Sequence, residues 1–107
     1  AALEGRTSLE RVVEAYCERP ARLYGLRGKG RIRPGFDADL ALLDPGRDWE
    51  VRDEDVISRA GWSPYSGRRL RGRFVATVLR GAPIAEGADP GDRERRGRFL
   101  PGAGVAR

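Results

Sequence analysis

Three groups of residues have the types and spacing that chemistry could use. Asp37-Ala38-Asp39 sets two carboxylates two positions apart, which is the start of a divalent-cation site if further ligands converge on it. Cys17 offers a thiol, and Ser63 and Ser66 offer hydroxyls on either side of Pro64-Tyr65. As nucleophiles these groups need a base and an oxyanion hole. Arg69, Arg71 and Arg73 alternate, so an extended strand would send three guanidinium groups to one side. Arg93, Arg95, Arg96 and Arg98 form a second cluster. With Tyr65 and Phe74, this is a pattern that could contact a nucleic-acid backbone.

Composition narrows the first two groups. The 107 residues contain no His, one Cys and no Met, so no imidazole base, His triad or Cys/His zinc site can be built from them. Asp37 and Asp39 therefore read as turn residues that bond backbone N–H groups nearby. Cys17 reads as a small buried hydrophobe. Gly25, Gly28 and Gly30 lack the flanking pattern of a phosphate loop and read as turns. Trp62 and Tyr65 are expected to pack their loop onto the sheet or onto a part of the protein outside this chain, and Trp49 to anchor a sheet edge. A lone cysteine excludes an internal disulfide and fits a reducing, cytoplasmic setting. Residue 1 is Ala, from which a processed chain or a piece of a longer one is expected.

Charge sharpens the third group. Lys and Arg total 21 against 16 Asp and Glu, and Lys29 is the only lysine. Residues 1–57 carry 10 basic and 12 acidic residues, whereas 58–107 carry 11 and 4. Arginines occur in every segment, which fits a codon bias better than a recognition patch. The longest apolar run, Leu40 to Leu43, is far too short to span a bilayer.

The elements that would position these residues follow from pattern. Thr7 and Glu10 suit a capping box, and Leu9, Val12, Val13 and Tyr16 make an apolar stripe at helical spacing. Pro20 predicts a break and a second short helix, ended by Gly25. Lys29 to Arg33 alternates like a strand, and Pro34-Gly35 is a turn. Ala38 to Leu43 is apolar on both faces, as a buried strand is, and Asp44-Pro45-Gly46 closes it. Trp49 to Val51 predicts a short strand and Asp53 to Ile57 a helical turn. Arg71 to Arg80 is the longest strand candidate, with Gly81 to Ala85 returning as its hairpin partner. From Glu86 onward the composition predicts an irregular tail. Strands 38–43 and 73–80 need neighbours that this chain does not supply, so partner strands are expected from elsewhere in a longer chain or from another subunit.

Two blocks carry a family resemblance. Arg19-Pro20-Ala21-Arg22-Leu23-Tyr24-Gly25-Leu26, followed by Lys29-Gly30-Arg31-Ile32-Arg33-Pro34-Gly35-Phe36-Asp37-Ala38-Asp39-Leu40-Ala41-Leu42-Leu43-Asp44, resembles the carboxy-terminal stretch of the amidohydrolase superfamily. Ser63-Pro64-Tyr65-Ser66-Gly67 through Leu79-Arg80-Gly81 is similar to the cyclic-amide hydrolases: dihydroorotase, allantoinase and hydantoinase. Ser63-Pro64-Tyr65, the Leu79-Arg80-Gly81 close and Gly97-Arg98-Phe99-Leu100 lean towards allantoinase. One departure is Arg19, where the family usually has a helix-capping Asn; losing such a cap costs about 1 kcal/mol.

The resemblance implies an α+β fragment: final barrel helices over 1–26, strands of a small β-sandwich over 27–86, and an irregular tail over 87–107. It also implies a parent enzyme in which a divalent metal, zinc, activates water to open a cyclic amide. The partners implied are the rest of that barrel with its amino-terminal strands, a cyclic amide or ureide substrate, and further copies in a homo-oligomer. No catalytic, cofactor-binding or metal-ligating residue carries over to this chain, and the segment alone is expected to be inactive. The alternative is a small Arg-rich nucleic-acid-binding module.

Overall fold

A computed structural model describes residues 5–87 and 97–103. It divides into two compact units. One contains the helical segment through Asp39, the turn Leu79–Gly81 and the described residues from 97 onward; the other contains Leu40–Val78 and the strand that follows the turn.

In the first unit three helical stretches run without a break: α1 (Leu9–Val13), a π-helical stretch (Glu14–Glu18) and α2 (Arg19–Leu23). The cap is Ser8 rather than Thr7, and its Oγ accepts from the Arg11 N–H at 3.2 Å. The break expected at Pro20 does not occur. Arg19 N–H reaches back five residues to the Glu14 carbonyl, and this wider turn ends where Pro20, which has no N–H to give, enters α2. Arg19 is therefore helical (φ −62°, ψ −46°), and no cap is missing there. Its guanidinium bonds Glu14 at 3.0 Å instead.

The helix ends as Gly25 predicts. Leu23 is the last helical residue and Tyr24 the C-cap; Gly25 turns left-handed (φ +65°), Gly25 N–H bonds the Arg22 carbonyl at 3.2 Å, and Leu26 N–H bonds that of Ala21 at 2.8 Å. These two bonds make a full Schellman motif, which satisfies carbonyls the helix cannot pair itself.

The strand expected at Lys29 to Arg33 is absent: this stretch is turn and bend. Gly28 (φ +70°) and Gly30 (φ +83°) hold conformations that no strand has. Pro34-Gly35 does turn, with Phe36 N–H on the Arg33 carbonyl at 3.0 Å and Gly35 at φ +86°, as a type II turn requires.

In the second unit three strands form an antiparallel β1–β2 pairing within the order β1-β2-β3: β1 (Leu40–Glu50), β2 (Arg69–Leu79) and β3 (Ala82–Glu86). The two strands expected at 38–43 and 49–51 are one. Asp44-Pro45-Gly46 does not end it but bulges out, so that Asp44 pairs with Arg73 and Asp48 with Arg71. Asp44 Oδ1 accepts from Gly46 N–H at 3.0 Å and fixes the bulge. The expected helical turn is a 3-10 turn over Asp53–Asp55. Arg80 (φ +46°) and Gly81 (φ +80°) make the two-residue link from β2 to β3, with both residues left-handed as a type I′ hairpin demands.

Burial is slight. Ala21 is the one buried hydrophobic residue among those described. The apolar stripe of the helix is exposed, with Tyr16 at 81%. The 38–43 segment, read as buried on both faces, leaves Leu42 and Leu43 exposed, and Phe74 opposite Leu43 is exposed too. Within this chain Trp62 and Tyr65 are exposed, so the sheet itself does not cover them. The tail from 88 to 96 lies outside the described residues, as does 104–107; residues 97–103 contain no helix or strand.

Two glycines separate packing from backbone strain. A Cβ on Gly30 would lie 2.6 Å from the Cys17 carbonyl oxygen and 2.7 Å from Ala21 Cβ, whereas one on Gly35 meets nothing. Gly35→Ala should cost only the left-handed strain, about 1–2 kcal/mol. Gly30→Ala should cost at least about 1 kcal/mol more, because helix backbone must move. Urea unfolding of the two variants side by side measures the difference.

Candidate functional site

The densest polar arrangement is built on Lys29. Its side chain is only 14% exposed, and its ammonium lies 2.8 Å from Asp37 Oδ2 and also bonds Asp39 Oδ2. Asp39 Oδ1 is free of that contact and accepts the Arg80 N–H at 2.8 Å. Gly81 N–H bonds the Ala38 carbonyl at 3.0 Å, and Asp37 N–H bonds that of Gly28 at 3.0 Å. Backbone is thus tied on both sides of the Asp-Ala-Asp motif.

The electrostatics follow from this geometry. Hydrogen bonds to Asp37 and then Asp39 push the Lys29 pKa up. The Lys29 ammonium, then the Arg80 N–H, hold the Asp39 carboxyl below its ordinary value. Lys29 is therefore firmly cationic and carries no lone pair for attack, and Asp39 is firmly anionic. Both carboxylates are occupied. Among the described residues no three His, Cys, Asp or Glu side chains converge on a cation-sized space. The arrangement can hold backbone in place; it cannot hold a metal or move a proton at neutral pH.

The sequence places Asp37 or Asp39 on backbone N–H groups nearby. Asp39 does bind a backbone N–H, but one 41 residues away. Lys29 went unnoticed as a partner, although it is the only lysine in the chain, and that singularity was the available signal.

The other candidates disperse. Cys17, expected to be buried, is exposed. Ser63 Oγ accepts from the Tyr65 N–H at 3.2 Å, and Ser63 N–H bonds Asp53 Oδ1 at 2.8 Å. These bonds, with Val51 and Arg68 joined at 3.0 Å and Gly67 and Val51 at 2.8 Å, brace a loop. Gly25, Gly28 and Gly30 all have positive φ and serve turns, as read.

The arginine row is matched by this chain's own acids. Glu50, Asp48 and Asp44 of β1 face Arg69, Arg71 and Arg73 of β2 in register. Arg71 Nε stands 4.0 Å from Asp48 Oδ1. Arg73 stacks 5.0 Å over the Trp49 ring, whose Nε1–H bonds the Gly72 carbonyl at 2.9 Å. Trp49 thus anchors the bulge, and Arg73 is engaged within the sheet. Arg93, Arg95 and Arg96 lie outside the described residues; Arg98 is exposed.

With this geometry in view, comparisons with known proteins are informative. Residues 2–85 match the model of the amidohydrolase family. The chain is 49% identical over 78 residues to an allantoinase of Rubrobacter xylanophilus, covering 73% of this chain and 17% of that protein. It is 34% identical over 83 residues to a dihydroorotase of Pyrococcus furiosus, covering 78% and 20%. Among solved structures, an L-hydantoinase (dihydropyrimidinase) from Arthrobacter aurescens superposes with a TM-score of 0.77 at 41% identity, over 81% of this chain and 20% of that one. The chain spans about a fifth of the length of the curated relatives it matches.

The Lys29 cluster has a defined pH window. Asp39, lowered from 3.8, contributes stability above that value and loses it as the pH falls towards its lower folded value. Lys29, raised from 10.5, contributes below that value and loses it as the pH rises through its folded value. Asp39→Ala should cost about 1–3 kcal/mol at neutral pH, since Arg80 N–H loses its acceptor and Lys29 one carboxylate. Asp39→Asn should recover part of this and flatten the acid limb of stability. Urea unfolding across the acid range checks both.

Proposed function

The chain belongs to the amidohydrolase family, and from that premise we propose that it is the carboxy-terminal, non-catalytic part of a metal-dependent hydrolase that opens cyclic amides. Allantoinase chemistry is the first choice, dihydroorotase the second. The observation that carries the choice is the 49% identity to an allantoinase across 78 residues.

The division of labour rests on the donor set. A metal that activates water needs several convergent nitrogen or oxygen ligands. This chain has no histidine, and Asp37 and Asp39 are bound to Lys29. No group of the described residues fits a divalent metal, and we place zinc and the water it activates on residues outside these 107. The helix and the three-stranded sheet would supply framework.

In that setting the exposed helix stripe and the exposed Leu42, Leu43 and Phe74 would be covered by the rest of the barrel and by amino-terminal strands. At about 25 cal/mol per Å² of apolar surface, covering them is a substantial part of what would hold the segment. We place the whole enzyme in the cytoplasm as a homo-oligomer; no helix among the described residues is long and apolar enough to cross a membrane.

The 107-residue chain mixed with zinc and allantoin, dihydroorotate or hydantoin should release no ring-opened product, whereas the enzyme that contains it should hydrolyse one of the three and lose activity to a chelator. Turnover by the isolated chain would sink the proposal. The chain should also show no steep salt-dependent association with single- or double-stranded nucleic acid at low ionic strength.

A further inference from the structure

The helix C-terminus has a second partner besides the Schellman motif. The Ala103 N–H donates to the Tyr24 carbonyl at 3.3 Å. That carbonyl is one of the last in the helix and has no intrahelical N–H to accept from. The contact brings together residues about three-quarters of the chain apart, and its fit is close on both sides. A Cβ on Gly25 would collide with Ala103 Cβ and stand 2.8 Å from Ala103 N. A Cβ on Gly102 would stand 2.5 Å from the Tyr24 oxygen.

Both sides of this contact therefore need glycine, for different reasons. Gly25 must also be left-handed (φ +65°) to close the helix. Gly102 has no such conformational demand: its φ is not in the left-handed region, so the lack of a side chain is what matters there. Close approach of two backbones is a recognised use of glycine.

Ala103 also borders a hollow of about 520 Å³ whose other walls include Ala21, Arg22, Leu26 and Phe36. We propose that the Tyr24–Gly25 notch is a receptor for an extended, glycine-bearing segment, and that its occupant is this chain's own Gly102–Ala103. The segment acts as a strap. Seated, it caps the helix a second time and forms one wall of the hollow; unseated, it opens that side of the hollow towards Ala21, Leu26 and Phe36.

Amide hydrogen exchange, read residue by residue by NMR on the intact protein, tests this. In the wild-type protein the Ala103 amide should be protected. Gly102→Ala should speed its exchange by about tenfold or more while leaving the Leu26 amide, which reports the Schellman motif, unchanged. Gly35→Ala, which adds left-handed strain with no steric contact, should leave both amides unchanged. Equal Ala103 exchange in the Gly102→Ala and wild-type proteins would overturn the proposal. So would Ala103 and Leu26 speeding up together, because the strap would then have no opening of its own. Should the variant fail to fold, the wild-type measurement decides: an Ala103 amide exchanging at the unstructured rate removes the strap, and a protected one supports it.

Discussion

An ammonium held between two carboxylates sets the geometry on which the described structure depends most. Lys29 engages Asp37 and Asp39, and the second oxygen of Asp39 takes the N–H of Arg80. Arg80 is the one non-glycine residue with positive φ among those described, a conformation that costs free energy unless the surroundings fix it. Asp39 supplies part of that fixing. The same carboxylate lies one residue before β1 begins, and the turn it grips joins β2 to β3. A short polar cluster thus governs where one strand starts and where the next two reverse.

That cluster stands in place of a core. With Ala21 the one fully buried hydrophobic residue among those described, area burial contributes little to ordering them. Local devices are correspondingly prominent: a side-chain cap at Ser8, a Schellman motif at Gly25, a type II turn at Gly35, a hairpin at Arg80-Gly81, and a bulge locked by Asp44 and Trp49. Each of them fixes a few residues without long-range apolar contact.

Features written in adjacent residues were legible before any coordinates. The helix start within one residue, its end at Gly25, the Pro34-Gly35 turn, the long strand within two residues and its hairpin partner all came from local pattern. Errors arose where a partner lay far off or a rule had a local escape. Pro20 suggested a break because proline lacks an N–H, but the π-helical turn before it absorbs the defect. Asp44-Pro45-Gly46 suggested a chain reversal, but two strands continue past it as one. Lys29 to Arg33 alternates, but Gly28, Gly30 and the two aspartates hold it out of any sheet. For the candidate site, the aspartates were legible as structural, whereas Lys29 and Arg80 were not, because no local pattern ties residue 39 to residue 80.

The cations of this chain differ in what they contact. Arginine is used where a planar fork or a flat face is needed: Arg11 and Arg19 share Glu14, Arg31 binds Glu18, and Arg73 lies on Trp49. The only lysine is used where one compact charge must serve two carboxylates at once. A guanidinium there would be longer, and its flat donor array would fit a pair of separate carboxylates less readily. The arginines of β2, one of the two clusters that suggest a nucleic-acid surface, have Asp44, Asp48 and Glu50 opposite them. Facing charges of opposite sign reduce the field such a row presents to a polyanion. Three arginines of the second half thus lie opposite three acids of the first half, and the sheet's pairing register is what brings them together.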